Sequence, residues 1–150
     1  MTINELLKYF EDWAPPKAAW EKDNVGLQIG KPQETLQNVL LCLELNDAAV
    51  NEAIENECNL IFTHHPFLFT PLKKIDLSND PHSKLIEKLI KNNITLYSAH
   101  TNLDFAKYGV SFVLAEKLGL QNIKFLVNQD SNQVKLTVFT PPEYLDEISG

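Results

Sequence analysis

Three of the chain's four histidines follow apolar runs that are typical of buried strands. The segment "LIFTHHPFLF" places His64 and His65 at the end of one run, and "LYSAHTNLD" places His100 at the end of another, with Asp104 four residues later. Ligands of open parallel α/β sheets bind beyond the carboxyl ends of the strands. Imidazole nitrogen and carboxylate oxygen together suit Zn, Mn, Fe or Co. We therefore predict a divalent-metal site at this edge of the sheet.

The adjacency of His64 and His65 bears on the number of ions. Neighbouring residues of a strand point to opposite faces, so one ion is poorly served by both unless the backbone turns between them. Two ions fit better, with Asp104 as the bridging carboxylate between ions about 3.5 to 4 Å apart. Pro66 disfavours helix at His65 and so helps to keep the pair extended. On this prediction His64, His65 and Asp104 bind metal, and His100 transfers a proton or orients the substrate.

The same residues have simpler explanations. A pair of histidines in a loop can be solvent-exposed, Asp104 can cap the helix that follows it, and the intervening Thr101 and Asn102 can be turn residues. The shared position of the histidines and Asp104 at one predicted sheet edge favours the metal interpretation. His82 falls in the first turn of a predicted surface helix, and we expect it to be solvated.

The elements that must position these residues alternate along the chain. Continuous runs of apolar residues, which would be apolar on both faces of a sheet, predict parallel strands. The amphipathic segments between them predict helices. The predicted strands are "NVLLCLEL", "NLIFTHH" and "ITLYSAH", and the predicted helices are "TINELLKYFEDW", "NDAAVNEAIENEC", "PHSKLIEKLIKNN" and "YGVSFVLAEKLGL". Capping residues are expected at Thr2, Asn46 and Asp80, with Gly119 as a helix terminator. We predict an α/β fold in three layers, a mostly parallel sheet with helices on both faces.

Composition narrows the class of protein. The 150 residues carry 13 Lys plus Arg against 20 Asp plus Glu, a formal charge of −7 that repels the phosphates of a nucleic acid. Cys42 and Cys58 lie in apolar segments without a metal-ligand spacing, so we expect reduced, packed thiols and a cytoplasmic location. No apolar stretch approaches the roughly 18 residues of a membrane span. Neither a nucleic-acid partner nor a membrane is expected.

The character of the sequence changes after about residue 125. A polar, turn-rich segment leads into "VKLTVFTPPEYLDEISG", which alternates as a strand and then begins a helix at a proline. That helix has about two turns before Gly150, which is too little for a folded module. We predict a boundary between residues 1–125 and a new unit at 126–150, and we expect the sequence to be part of a longer protein.

Three segments together resemble a known family. "WEKDNVGLQIG", "LIFTHHPFLF" and "LYSAHTNLDFAKYGVSFVLAEKLGL" resemble, in order and spacing, the NIF-three-like family, whose members are often named GTP cyclohydrolase I type 2 homologues. The resemblance covers about residues 1–125 and implies the first half of an α/β domain. It also implies a dinuclear metal site made by His64, His65 and Asp104 with a His and a Glu from a late helix, and those two have no counterpart here.

The resemblance carries further expectations about architecture and assembly. Many bacterial members have an insert resembling a PII or CutA-like domain between two α/β halves, and residues 126–150 resemble the opening strand and helix of such an α+β insert. Family members form toroidal homohexamers whose sites face an inner cavity. A self-association of this kind, likewise implied by the resemblance, is the partner we expect for the longer protein.

Two functions of different class fit these expectations. In the first, the chain belongs to a metal-dependent hydrolase, in which the ions lower the pKa of a bound water toward about 7 for attack on a phosphoester or a purine ring carbon. In the second, the ions serve a non-catalytic regulatory or scaffold protein that forms a ring. The sequence contains neither a GxGxxG nor a Walker segment, so it does not indicate the substrate.

Overall fold

A computed structural model describes residues 1–125, in which five helices surround a single sheet of four strands. The helices are α1 (Ile3–Trp13), α2 (Asp47–Glu55), α3 (Pro81–Lys91), α4 (Thr101–Asp104) and α5 (Val110–Lys117), and a 3-10 turn spans Pro16–Ala18. The strands are β1 (Gly26–Ile29), β2 (Asn38–Cys42), β3 (Cys58–Thr63) and β4 (Thr95–Ser98). The unit predicted at 126–150, with its PII-like identity, lies outside the described residues.

The sheet has the strand order β1-β4-β3-β2. As predicted, β2, β3 and β4 run parallel, so their carboxyl ends lie at one edge. Strand β1 instead runs antiparallel to β4, with Gly26 opposite Ser98. The segment that leads into β1 therefore reaches the same edge as the residues that follow β3 and β4.

Helices cover both faces of the sheet, which confirms the layered α/β prediction for these residues. On one face α2 and α3 pack on the strands, and the shared core consists of wholly buried residues: Val50, Ala53, Ile61, Leu89 and Leu96. On the other face α1 places Ile3 and Leu7 against Leu60 and Tyr97. Strands β3 and β4 are thus buried on both sides and form a rigid base for the residues at their ends.

The predicted caps explain where the helices begin. Thr2 and Glu5 form the capping box of α1, Asn46 accepts the Ala49 N–H at the start of α2, and the Asp80 carboxylate accepts two N–H groups at the start of α3. These bonds satisfy donors that have no partner within the helix. Within residues 1–125, no helix is long and apolar enough to cross a membrane.

Candidate metal centre

The chain bends at His64 and His65, directly after β3. The N–H of His64 donates to the carbonyl of Cys42 (3.2 Å), and the next N–H, of His65, donates to the carbonyl of Leu43 (2.9 Å). Successive N–H groups of an extended strand point to opposite sides, so two bonds to the same neighbour mean that the strand has ended. The Thr63 hydroxyl, which donates to the His65 carbonyl (3.0 Å), holds this bend.

The bend removes the expected alternation of the two side chains. The ring centroids of His64 and His65 are 5.2 Å apart, and a ring nitrogen of one lies within 4.8 Å of a ring nitrogen of the other. The prediction that Pro66 keeps the pair extended is therefore wrong, because the backbone bends at both residues, where their N–H groups bond to the carbonyls of Cys42 and Leu43. The adjacency of the two histidines no longer requires two separate ions.

His100 completes a cluster of three imidazoles. Its ring centroid is 5.2 Å from that of His64 and 5.6 Å from that of His65. One ring nitrogen from each histidine lies within 4.8 Å of the other two. The common sheet edge does bring the three histidines together, and a group with these distances can hold a metal ion.

Each ring of the cluster has its Nδ1 beside an oxygen acceptor. The pairs are His64 with the carbonyl of Ala99 (2.8 Å), His65 with Glu44 Oε1 (2.9 Å), and His100 with both carboxylate oxygens of Asp23 (3.0 Å each). A carbonyl or carboxylate oxygen can only accept, so in the neutral imidazole Nδ1 carries the proton. Each ring then offers an unprotonated Nε2, the state in which a histidine binds a metal.

Asp104 lies at the border of the cluster. It is the last residue of α4, and its Oδ1 is 3.6 Å from Nε2 of His64. The helix that follows is α5, and its N-cap position is occupied by Gly109. Asp104 is therefore not a helix cap, and its carboxylate stands next to a ring nitrogen that is available for a ligand.

The short helix α4 is fixed by the buried Asn102. Its side-chain amide donates to the carbonyl of Ala14 at the end of α1 (2.8 Å), and its oxygen accepts the N–H of His100 (3.0 Å). Asn102 is wholly buried, so these bonds are shielded from water. Asn102 is more than a turn residue, since it connects the position of His100 to the packing of α1.

Asp23 belongs to the site although the sequence analysis did not select it. Its side chain is only 3% exposed and accepts hydrogen bonds from the backbone N–H of Thr101 (3.2 Å), the Thr101 hydroxyl and His100. Burial raises the pKa of Asp23, but the bonds from Thr101 and His100 outweigh it and hold the pKa below its ordinary value of 3.8. The residue is an anion at neutral pH. It reaches the site because β1 is antiparallel, which the sequence pattern did not reveal.

Glu44 was also missed, because the predicted strand "NVLLCLEL" included it. In the structure β2 ends at Cys42, so Glu44 lies beyond the strand, at the edge that His64 reaches after β3. Its side chain is 64% exposed, in contrast to that of Asp23. Glu44 therefore holds His65 from the solvent side of the cluster.

His82 lies apart from the cluster. Its ring stacks on Phe67 with a centroid distance of 3.8 Å, and its Nε2 is 3.1 Å from the Phe67 carbonyl. The side chain is half-buried, so the expectation of a solvated histidine is wrong. His82 has a packing role and provides a natural control for experiments on the other three.

An apolar groove opens beside His64. Its volume is about 790 Å³, and it lies between α1 and the exposed side of β2. The residues that form its walls include Phe10, Trp13, Leu41, Phe62 and Leu103. The site thus borders apolar surface on the α1 face of the sheet.

Comparison with known proteins identifies the family. The sequence model of the Duf34/NIF3 (NGG1p interacting factor 3) family matches residues 1–149. The chain belongs to the NIF3 family. The resemblance of its three segments to this family is thereby confirmed.

Named relatives of this NIF3 family member agree with the match. The GTP cyclohydrolase 1 type 2 homolog of Halalkalibacterium halodurans is 38% identical over 144 residues, which are 95% of this chain and 38% of that relative. The Bacillus subtilis homolog of the same name is 39% identical over 145 residues, 96% of this chain and 39% of the relative. The chain thus spans about two fifths of the length of these relatives.

A solved structure supports the fold of the described part. The crystal structure of a Bacillus cereus protein related to NIF3 aligns with a TM-score of 0.77 and 45% identity. The alignment covers 81% of this chain and 34% of that protein. The mixed α/β architecture is therefore that of NIF3-related proteins.

Proposed function

We propose that this chain supplies part of a divalent-metal site, with His64, His65 and Asp104 as ligands. The observation that carries the proposal is the anchoring of Nδ1 in all three clustered histidines, which leaves each Nε2 free to bind. Imidazole nitrogens with one carboxylate form a donor set that fits Zn, Mn, Fe or Co. Two ions per complete chain remain our proposal, with further ligands from the rest of the longer protein.

We further propose that the complete protein is a metal-dependent hydrolase of a nucleotide or phosphoester. When bound, divalent ions would supply Lewis acidity and would lower the pKa of a water molecule toward about 7. His100 would accept or donate a proton through Nε2, because Asp23 occupies its other nitrogen. The name GTP cyclohydrolase 1 type 2 homolog, which the relatives carry, motivates a nucleotide as the first substrate to test.

Hydrolysis assays on a metal-loaded full-length relative test this function. The substrates are GTP and a chromogenic phosphodiester, and the variants replace the histidines that correspond to His65 and His82 by alanine. We expect the first variant to lose the activity and the second to keep it, because the His82 ring of this chain packs on Phe67 outside the cluster. Turnover that survives both chelation and loss of the cluster histidine would refute the hydrolase proposal.

A non-catalytic scaffold is the second candidate. Large apolar side chains are exposed on β2 and its extension and on α5, among them Leu41 (73%), Leu43 (60%) and Leu114 (57%). Apolar surface of this kind is typical of sites that contact further protein. We propose self-association, as a homohexamer in the longer protein, and no nucleic-acid partner, in keeping with the charge of −7.

Assembly measurements separate the two candidates. The scaffold candidate predicts that chelation breaks the oligomer of a full-length relative, measured by light scattering, and that no substrate is hydrolysed. A catalytic rate that disappears on chelation while the oligomer persists would count against the scaffold and for the hydrolase.

The domain organisation is also a proposal. We propose that residues 1–125 are the first half of the metal-binding domain and that 126–150 begin a PII- or CutA-like insert. The coverage of about two fifths of the relatives supports a second half elsewhere in the longer protein. Cys42 and Cys58 are free thiols, which fits our proposal of a cytoplasmic location.

A further inference from the structure

The three histidines of the cluster differ in what holds them. His64 is bonded to a backbone carbonyl, and His65 to Glu44, whose side chain is 64% exposed. His100 is bonded to Asp23, which is 3% exposed and has both oxygens 3.0 Å from Nδ1. Of the two carboxylates, only Asp23 is shielded from water, so its bond to an imidazole is the stronger constraint.

The orientation of the Asp23 carboxylate is set by groups other than His100. Oδ2 accepts both the backbone N–H and the hydroxyl of Thr101. The Thr101 oxygen in turn accepts the N–H of Trp20 (3.0 Å), so its hydroxyl proton is committed to Asp23. The carboxylate therefore cannot rotate away from the imidazole without breaking buried hydrogen bonds.

We propose that Asp23 is a positioning residue that holds the neutral His100 ring in the Nδ1–H tautomer. In this tautomer Nε2 is the nitrogen left to bind a ligand or accept a proton. The use of Nε2 in this way rests on the proposed metal-site function. The tautomer itself is a property of this chain and does not require a metal. Such a carboxylate–imidazole pair is a common way to fix the ring of a histidine that binds or transfers at its other nitrogen.

The geometry specifies what Asp23→Asn would do. Thr101 directs two donors at Oδ2, so the amide oxygen of asparagine takes that position and the NH₂ group takes the position of Oδ1, beside Nδ1 of His100. Nδ1 also lies 3.0 Å from the Oδ2 position, but the two lone pairs of the amide oxygen there are taken by the two Thr101 donors, so an Nδ1–H would face the amide N–H, which is repulsive. The imidazole avoids this by moving its proton to Nε2.

The proposal is tested by ring nitrogen-15 NMR of the 150-residue chain, kept metal-free with a chelator at about pH 8.5, which is above the ordinary imidazole pKa of about 6.5. We expect the Nδ1–H tautomer at His100 in the wild type and the Nε2–H tautomer in Asp23→Asn. Glu21→Gln, which removes an equal charge from an exposed side chain two residues away, should leave His100 unchanged. The signals of His64 serve as an internal control.

The outcomes separate this inference from the proposed function. An Nε2–H tautomer in the wild type, or no change in a folded Asp23→Asn variant, overturns the inference. If Asp23→Asn does not fold, the wild-type tautomer still decides. A third outcome is that the tautomer of His100 changes as expected although the longer protein binds no metal. That result would uphold the positioning role of Asp23 and refute the metal-site proposal. A purely structural Asp23 would lower the Tm without altering the tautomer.

Discussion

The interior of β3 and the bend that directly follows it place neighbouring residues in two different environments. Leu60 and Ile61 are wholly buried, each packed into the core on one face of the sheet. His64 and His65, only a few residues later, are 22% and 43% exposed and are held by hydrogen bonds to oxygen. Buried core residues and candidate metal ligands are thus different residues of one short segment, so substitutions should separate stability from metal binding.

Leu89→Ala is the substitution in the buried core for which we expect the largest loss of stability. Leu89 is wholly buried on α3 and packs in the same core as Ile61. Loss of its side chain leaves a cavity, and we expect the free energy of unfolding to fall by about 2 to 5 kcal/mol, measured by urea denaturation. The control Leu114→Ala removes a side chain that is 57% exposed and should cost less than about 0.5 kcal/mol. Equal losses of unfolding free energy in the two variants would contradict the assignment of Leu89 to the stabilising core.

Thr63→Val tests the boundary between the two regions. The Thr63 hydroxyl is buried, lies 2.7 Å from the Ser98 hydroxyl and donates to the carbonyl of His65. Valine keeps the shape but leaves these partners unsatisfied, so we expect a loss of about 1 to 3 kcal/mol in the free energy of unfolding. Thr70→Val, at an exposed position, is the matched control and should be neutral. A neutral Thr63→Val would mean that the hydroxyl does not hold the bend.

His65→Ala tests the end of the strand and should have the smallest effect on stability. The side chain is 43% exposed and its partner Glu44 is more exposed still, so we expect a change within about 0.5 kcal/mol. Zinc affinity of the chain, measured by competition with a chelator, should nevertheless fall by at least about tenfold. A large loss in the free energy of unfolding, with unchanged zinc affinity of the folded variant, would place His65 with the core rather than with the site.

Much of the scaffold could be predicted from local sequence. Helix caps such as Asn46 and Asp80 act within one turn, and the apolar runs of β3 and β4 reflect burial on both faces. The grouping of His64 with His100 also followed, because the carboxyl ends of parallel strands share an edge. These features depend on neighbours in the chain or on a general rule of topology.

The features of the site that were not predicted from sequence depend mainly on contacts between distant segments. Asp23 meets His100 across 77 positions of sequence, beside a strand whose antiparallel direction no local pattern indicated. The bend after β3 involves the carbonyls of Cys42 and Leu43, at and just after the end of β2, so alternation was extended one residue too far. Glu44 was missed because the predicted strand "NVLLCLEL" included it, whereas β2 ends at Cys42.

Metal content shows whether the histidine cluster is a metal site. Elemental analysis would be applied to this chain and to a full-length relative, each beside a variant that lacks both residues corresponding to His64 and His65, and beside His82→Ala. We predict about two divalent ions per full-length relative, fewer in this chain, loss in the double variant and no loss in His82→Ala. Absence of bound metal from both wild-type proteins, or equal metal in the double variant, would contradict it.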